Sequence, residues 1–363
     1  MKRGGPADLE ARVLSADLCT GCGACLGHCP YLKTLGERVA FVHPCSLTEG
    51  RCFAVCPRTS LDPDELDRRV LGTPRLDVFL GSYRRLLWSR SLDADIHGRA
   101  QYGGTTTALT AFALESGTVS AAVLTGGGPT SFPQPVVARD RDAVLAAAGT
   151  KYSACPTLVP VAGLLRESDE AFAVVGRPCQ VAALRNVQAN PKNAHRFAAV
   201  IGVFCFWALA PSFYRFVAAH GVLTRATKID IPKEGGVVFS NGRTTTVPLD
   251  EIRPHIRPAC QTCLDPTAEW ADVSVGSTEH DSAWNTLVVR TARGQALVDA
   301  AVAAGALETR PYPPDRIPIL RAAVAGKKRR VMAAVDEGDP ATRYLSVSDD
   351  TRAAIMAGGR DVQ

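Results

Sequence analysis

Residues 19–30 read Cys19-Thr20-Gly21-Cys22-Gly23-Ala24-Cys25-Leu26-Gly27-His28-Cys29-Pro30. This spacing is typical of chains that hold cubic iron–sulfur clusters: three thiolates surround one cluster, and the fourth, before the proline, binds another. Zinc favours two cysteine pairs that are separated by a longer loop, so the spacing favours iron–sulfur over zinc. The N-terminal residues are therefore predicted to carry electrons.

The second half of this cysteine-rich unit is less regular. Cys52 and Cys56 repeat the end of the motif, but Cys45 precedes them where a regular repeat has cysteines in place of Ser46 and Glu49. Crossed ligation assigns one cluster to Cys19, Cys22, Cys25 and Cys56, and the other to Cys29, Cys45 and Cys52. The second set lacks a fourth cysteine. A three-iron cluster, an oxygen ligand such as Glu49 and a distant thiol all stay open.

Bulk composition indicates a folded, multidomain redox protein. The 363 residues predict two or three domains, and 46% hydrophobic residues suffice for real cores. Twelve cysteines without a signal peptide argue against a disulfide framework and for the reducing cytoplasm. The longest apolar run, residues 197–210, is shorter than the ~20 residues of a membrane span. A net charge of +5 does not indicate nucleic acid, and Lys327-Lys328-Arg329-Arg330 is interpreted as a solvated helix face.

The order of predicted elements divides the chain into four segments. They are a two-cluster ferredoxin-like domain at 1–62, a linker at 63–94, a catalytic domain at 95–315 and a C-terminal helical tail at 316–363. Strands alternate with helices through the third segment, which predicts an α/β (α+β) domain with a mixed sheet. Residues 228–247 are predicted to form a hairpin around Asn241-Gly242. No G-x-G-x-x-G fingerprint opens a helix, so a Rossmann domain is not indicated.

A second set of cysteines lies in the α/β segment, at Cys179, Cys205, Cys260 and Cys263. Cys179 and Cys205 each follow a predicted strand, and sites in open sheets form outside the carboxyl ends of strands. Cys260 and Cys263 have the spacing of metal ligands. From spacing alone, a third cluster and a set of buried apolar cysteines are both open.

Several ordered motifs between residues 95 and 315 resemble the family of coenzyme F420-reducing hydrogenase/dehydrogenase beta subunits. They are Tyr102-Gly103-Gly104-Thr105-Thr106, Ala147-Ala148-Gly149-Thr150-Lys151-Tyr152, Gly176-Arg177-Pro178-Cys179-Gln180, Gly202-Val203-Phe204-Cys205, Cys260-Gln261-Thr262-Cys263-Leu264-Asp265 and Ala271-Asp272-Val273-Ser274-Val275-Gly276-Ser277. The resemblance implies a flavoprotein domain that binds FAD and a [4Fe-4S] cluster, with coenzyme F420 as substrate. The total is then two or three clusters.

The resemblance also implies site residues. The cluster ligands correspond to Cys179, Cys205, Cys260 and Cys263, and the segments around FAD to Tyr102, Gly103, Gly104, Thr105, Thr106, Gly149, Thr150, Lys151, Tyr152, Gly176, Arg177 and Pro178. Glycines at helix starts let backbone N–H groups approach phosphate, although ordinary turn formation also explains them. Cys155 is left over. A buried spectator or a thiol near the substrate is favoured over a cluster ligand there.

These features favour an oxidoreductase that exchanges hydride between F420 and FAD and passes electrons through the clusters to or from a ferredoxin or a partner subunit. Arg84, Arg85, Lys151 and Arg177 are predicted to form a basic mouth for the anionic F420. One alternative is a ferredoxin-dependent reductase of an organic double bond or hydroxymethyl group, like chlorophyll-pathway relatives, with Tyr152, His280 or Asp281 as proton donor. Another is a non-catalytic electron-wiring subunit. A homo-oligomer is also compatible with the sequence.

Overall fold

The structure is a computed structural model that describes residues 3–127, 132–219, 228–231, 236–240, 244–278 and 280–358. Within these ranges the helices are α1 (Pro6–Leu9), α2 (Arg51–Val55), α3 (Pro63–Leu71), α4 (Ala94–Arg99), α5 (Thr105–Glu115), α6 (Arg141–Ala146), α7 (Val161–Glu167), α8 (Pro178–Gln188), α9 (Pro211–Ala219), α10 (Leu249–Ile252), α11 (Pro258–Gln261), α12 (Ala292–Ala303), α13 (Ile317–Asp336) and α14 (Asp349–Ala357). The strands are β1 (Leu32–Leu35), β2 (Arg38–Phe41), β3 (Arg85–Ser91), β4 (Ala121–Gly126), β5 (Gln134–Ala138), β6 (Phe172–Gly176), β7 (Phe197–Val203), β8 (Lys228–Asp230), β9 (Gly236–Ser240), β10 (Thr244–Pro248), β11 (Val273–Ser277), β12 (Asn285–Val289) and β13 (Leu307–Pro311).

The large domain is built on a mixed sheet of eight strands, counted over the described residues, in the order β13-β3-β12-β11-β7-β6-β4-β5. Strands β4, β6, β7 and β11 pair in parallel, and the outer pairs are antiparallel. Successive side chains of a strand point to opposite faces. Phe172 and Val174 of β6 accordingly pack with α8, whereas Ala173 packs in the core that α5 and α12 share. The predicted mixed α/β fold is confirmed.

The sheet begins earlier in the chain than residue 95. Residues 63–94, predicted as a linker, contain helix α3 and strand β3, and β3 pairs with both β12 and β13. Alternate residues of β3 are buried, Leu87, Ser89 and Ser91 among them. The intervening residues are Trp88 and Arg90, and because the buried positions include two serines, the sequence does not show the alternation of apolar and polar residues typical of a strand. Residues 85–91 therefore belong to the sheet, which corrects the prediction of a linker at these positions.

The N-terminal unit is packed against the large domain. Its own small core gathers Leu9, Leu32 and Phe53 around the cysteine loops. The backbone N–H of Leu158 donates to the carbonyl of Cys22 at 3.0 Å. Gly23, at a φ of +88°, lies so close to the large domain that a Cβ there would be 2.5 Å from the Pro156 carbonyl oxygen. Only glycine tolerates both that conformation and that approach.

A smaller sheet of three strands, β10-β9-β8, lies beside the large one. Strands β9 and β10 pair antiparallel, which confirms the predicted hairpin, although its Asn241-Gly242 turn lies outside the described residues. Phe213 of α9 and Ile252 of α10 pack in its core. In the described parts of the chain, no helix combines the length and apolar content needed to cross a membrane.

A buried ion network joins α3, α13 and the loop before β11. Glu269 lies 2.5 Å from both Arg75 and Lys328, and Arg75 lies 3.3 Å from Asp67. Burial would raise the pKa of Glu269, but Lys328 and Arg75 hold it below its usual value. Lys327 and Lys328 are only 3% and 1% exposed, which corrects the prediction of a solvated face at these two positions.

Replacing Glu269 tests how much this network stabilises the fold. The Glu269→Gln substitution keeps the shape but leaves two buried cations short of an anion. We expect a loss of about 3–5 kcal/mol of unfolding free energy, measured by urea denaturation. Asp336→Asn, which removes one of the two carboxylates that pair with Arg352 at the surface, is the control and is expected to leave the midpoint almost unchanged. Equal urea midpoints for the two variants would contradict a stabilising role of the Glu269 network.

Candidate functional site

Two parallel neighbouring strands bring Cys179 and Cys205 to one edge of the sheet. Strand β6 ends at Gly176, and Cys179 follows in the first turn of α8; β7 ends at Val203, two residues before Cys205. Because β6 and β7 are adjacent and parallel, their carboxyl ends lie together. The prediction that ligands gather at strand ends thus has a direct structural basis.

The loop that contains Cys260 and Cys263 folds over this edge. The backbone N–H of Cys205 donates to the Pro266 carbonyl at 2.9 Å, and the N–H of Ala208 donates to the Cys260 sulfur at 3.3 Å. All four cysteines of the second set line one cavity, together with Thr20, Arg58, Arg177, Pro178, Trp207, Ala208, Arg257 and Lys327. Among the described residues no group of His, Cys, Asp and Glu could hold a single metal ion. The ligands of a cube bind different irons and therefore stand further apart than those of one ion.

Four cations line the same cavity: Arg58, Arg177, Arg257 and Lys327. Arg58 and Arg257 are each 4% exposed and Lys327 is 3% exposed. Over the described chain none of the four forms a salt bridge, whereas other buried cations such as Arg75 and Lys328 do. Burying a cation without an anion costs several kcal/mol. The cavity is therefore suited to a negatively charged group.

The hydrogen bonds of these cations go to neutral atoms. Arg257 donates to the carbonyls of Thr20 at 2.8 Å and Cys19 at 3.0 Å. Arg58 donates to the Thr262 hydroxyl at 3.2 Å and to the Ala259 carbonyl. Arg177 donates to the Ser153 carbonyl at 3.4 Å, and its buried second terminal nitrogen has no protein partner. This unpartnered nitrogen is a second indication of an anionic occupant.

The donor set fits an iron–sulfur cube. Burial raises the pKa of Cys205 to about 12, and the charges of Arg177 and Lys327 oppose the rise. Burial likewise raises the pKa of Cys179, again opposed by Arg177. Four cysteine thiolates are the usual ligands of a cube, and a cube with these ligands is the kind of negatively charged group that the four cations would stabilise. Cys179, Cys205, Cys260 and Cys263 would hold that cube.

The two groups of N-terminal cysteines that crossed ligation predicts stay a prediction, and charge interactions occur within each of them. In one group, burial and the charges of Cys22, Cys56 and Cys19 raise the pKa of Cys25. In the other, burial and the charges of Cys29 and Cys45 raise the pKa of Cys52. We call these sets the inner group (Cys19, Cys22, Cys25 and Cys56) and the outer group (Cys29, Cys45 and Cys52).

Each group has a structural link to its neighbour. Thr20, which follows Cys19, lines the cysteine cavity, and Arg257 of that cavity donates to the Cys19 carbonyl, so the inner group adjoins the cavity. Cys52 of the outer group lies in α2, and Cys56 of the inner group ends that helix, so the outer group adjoins the inner one. Cys155 belongs to neither: it is 1% exposed, and its carbonyl accepts a hydrogen bond from Gln180 at 3.0 Å. Glu49 is exposed, and the fourth ligand of the outer group remains open.

The three segments predicted to surround FAD form one continuous chain of contacts. The Gln101 amide donates to Asp230 at 2.6 Å, and the Tyr152 hydroxyl lies 3.3 Å from the same carboxylate, which joins the loop before α5 to residues 149–152. Arg177 then joins that loop, through Ser153, to the first turn of α8 and to the cysteine cavity. The predicted flavin segments therefore lie next to the predicted cluster.

Each segment also has local structural reasons for its sequence. Gly104, at a φ of +76°, begins α5, and the N–H of Thr105 in its first turn donates to the Asn285 side chain at 3.1 Å. A Cβ at Gly103 would lie 2.8 Å from the Ser89 carbonyl oxygen. The other residues of the first segment flank these positions: Tyr102 precedes the glycines, and Thr106 follows Thr105 in α5. In the third segment, Gly176 ends β6 and Pro178 is the first residue of α8.

Lys151 is held by the residues that follow α6. Its ammonium donates to the carbonyls of Ala147, Ala148 and Gly149 at 2.5, 2.8 and 2.9 Å. Burial lowers the pKa of Lys151 to about 8. Space is open where a side chain at Gly149, which has a φ of +89°, would project. Thr150 stands between these two residues.

The predicted basic mouth is divided in the structure. Arg84 contacts Gln295 and Arg85 pairs with Asp299, both on α12, whereas Lys151 and Arg177 contact the loop at 147–153. The four cations do not form one cluster through their contacts, which corrects that prediction. The partners of Arg84 and Arg85 lie more than two hundred residues later in the chain, so local sequence could not reveal them.

The three candidate proton donors lie in two places. Burial raises the pKa of Tyr152 far above its usual value, and its hydroxyl accepts from the N–H of Ile231 at 3.2 Å. His280 lies 3.3 Å from Arg316, and the Asp281 carboxylate accepts from the N–H of Ala283 at 2.9 Å. Asp281 thus closes a local turn. Of the three candidates, Tyr152 is the one that belongs to a predicted flavin segment, and its hydroxyl lies 3.4 Å from the Gln101 amide of the neighbouring segment.

Sequence reasoning missed several residues of the site. Arg58 directly follows Cys56-Pro57, and Arg257 stands three residues before Cys260, so proximity to ligands was a usable signal for both. Asp230 and Lys327 have no such signal, because only the fold brings them to the site.

Comparison with known proteins agrees with this arrangement. Residues 87–161 and 169–315 match the N-terminal and C-terminal parts of the family described as coenzyme F420 hydrogenase/dehydrogenase, beta subunit. The coenzyme F420 hydrogenase subunit beta of Methanothermobacter thermautotrophicus is 34% identical, over 64% of this chain and 86% of that protein. The coenzyme F420-dependent sulfite reductase of Methanocaldococcus jannaschii is 29% identical, over 79% of this chain and 46% of that protein. A chain of the F420-reducing [NiFe] hydrogenase complex from Methanosarcina barkeri superposes with a TM-score of 0.68 at 30% identity, covering 72% of this chain and 94% of that one.

Single cysteine substitutions test the assignment of the cavity. Cys260→Ser removes one of four thiolates from the cavity, so we expect the anaerobically purified protein to lose the iron and the reduced-state EPR signal of one cluster. Cys155→Ser is the matched control, and its iron content should equal that of the wild type. Loss of iron from Cys155→Ser, or an unchanged iron content in Cys260→Ser, would overturn the grouping.

Proposed function

Because this chain belongs to the oxidoreductase family of coenzyme F420 hydrogenase/dehydrogenase beta subunits, we propose that it exchanges a hydride between coenzyme F420 and FAD and passes the electrons through iron–sulfur clusters. One observation carries the proposal: Arg177 connects the predicted flavin segments to a cavity lined by four cysteines and four cations.

The protein residues would bind, orient and neutralise charge. Bound FAD supplies the exchange between two-electron hydride chemistry and single-electron transfer. The unpartnered nitrogen of Arg177 is available to an anionic group between the flavin segments and the cysteines. The absence of a Cβ at Gly103 and Gly104 lets the loop before α5 pack closely on β3 and α4, and the helix start that this loop positions favours phosphate. Hydride transfer between a deazaflavin and a flavin requires no protein acid or base, so none is assigned.

The serial order of the cysteine groups supports a route out of the protein. It leads from the cavity to the inner group and then to the outer group. Leu35 and Leu47, in the segments next to the outer group, are 72% and 64% exposed. We propose that a ferredoxin or a partner subunit exchanges electrons there. A cytoplasmic location, where reduced thiols and clusters persist, is part of this proposal.

Reduced F420 is the decisive probe. Added anaerobically to protein with its clusters intact, it should bleach the visible absorbance of bound flavin within the first turnovers. Reduced ferredoxin is the control that establishes a redox-competent flavin. Bleaching by ferredoxin without bleaching by reduced F420 would refute the proposal and favour a ferredoxin-driven reductase of an organic substrate.

The outer group provides a matched test of the electron route. Cys45→Ser removes a thiolate far along the route, so we expect reduced F420 to bleach the flavin as in the wild type. Transfer onward to a one-electron protein acceptor should fall at least tenfold in a stopped-flow assay. If Cys45→Ser transferred electrons at the wild-type rate, the outer group would not be the exit.

A further inference from the structure

Helix α13 buries two adjacent lysines in contrasting surroundings. Lys328 lies 2.5 Å from the carboxylate of Glu269 and donates to the Val78 carbonyl at 2.6 Å. Lys327 donates to the Cys205 carbonyl at 3.0 Å and lines the cysteine cavity. Across the described chain, Lys327 takes part in no salt bridge. One lysine is therefore neutralised by a carboxylate, and the other faces the thiols.

This contrast requires an anion near Lys327. Its side chain is 3% exposed, so water does not solvate the ammonium, and an unneutralised buried charge costs several kcal/mol. The ionisable groups that share its cavity are cysteines and three arginines, with no carboxylate. The thiolate set is thus the counter-charge of this ammonium.

We propose that Lys327 sets the reduction potential of the cluster held by Cys179, Cys205, Cys260 and Cys263, by favouring its reduced form. The inference rests on the proposed function only in requiring a cluster in this cavity. Reduction adds one electron from the donor to the loaded site, which becomes more negative by one charge. A fixed ammonium in a dry cavity attracts that added charge more strongly than it attracts the oxidised site. Charge and hydrogen bonding near the sulfurs are established levers on cluster potential.

Lys327 lies outside residues 87–161 and 169–315, the two regions of the chain that match the family. The C-terminal segment therefore supplies a charge to a site whose thiols all lie within residues 179–263. The single hydrogen bond to the Cys205 carbonyl fixes the direction of the ammonium. Residues 316–358 thus act on the redox centre and do more than close the fold.

The experiment is an anaerobic redox titration with a chemical reductant, followed by EPR of the intact, cluster-loaded chain. Signals that disappear in Cys260→Ser identify the cluster of the cavity. We expect Lys327→Met and Lys327→Gln to lower its midpoint potential, with at least a tenfold smaller ratio of reduced to oxidised cluster at a fixed potential. A tenfold change corresponds to 59 mV for one electron.

Two control variants separate charge from packing. Lys327→Arg keeps the charge and should retain the wild-type potential. Arg330→Met removes an exposed cation from the same helix and should change nothing. Unchanged midpoints in both neutral variants would overturn the proposal, and so would loss of the cluster from all three Lys327 variants, because Lys327 would then be a packing residue. A cluster signal absent from the wild type would instead refute the cluster itself, and a failed hydride exchange with F420 would leave this titration unaffected.

Discussion

The electrostatic balance of one cavity organises this protein. Arg58, Arg177, Arg257 and Lys327 converge there, and no carboxylate among the described residues neutralises them. Such a concentration of buried positive charge is stable only beside an equivalent negative charge. The four cysteines of the cavity provide the positions for that charge. The cations come from the N-terminal unit, the large domain and the C-terminal segment, so the site depends on all three.

The same cations hold the N-terminal unit in place. Arg58 reaches from that unit into the cysteine loop at Ala259 and Thr262, and Arg257 reaches back to the carbonyls of Cys19 and Thr20. Two arginines therefore cross the boundary in opposite directions. Both are buried and bind backbone atoms, which fixes the inner group relative to the cavity. A fixed spacing between cysteine groups is what electron transfer through them requires.

Much of the fold could be predicted because its central strands are continuous apolar runs. The strands predicted before Cys179 and Cys205 are β6 and β7, whose ends place both cysteines at one edge of the sheet. Strand β3 was missed because two of its buried residues are serines and the partly exposed residues between the buried ones include a tryptophan, so apolar and polar residues do not alternate. The solvated face predicted at Lys328 was wrong because its partner, Glu269, lies on a distant segment. Local patterns describe an element, whereas the pairing of a charge is decided by the tertiary fold.

The long separation of the site's parts has a consequence for how the protein is made. Arg58 bonds to Thr262 and Tyr344, which follow it by 204 and 286 positions. During synthesis, which proceeds from the N-terminus, the cysteine-rich unit leaves the ribosome long before these partners exist. The inner group can fold early, but the cavity cannot close until α13 has been translated. A cluster held by Cys179, Cys205, Cys260 and Cys263 would therefore be enclosed only at a late stage of biogenesis.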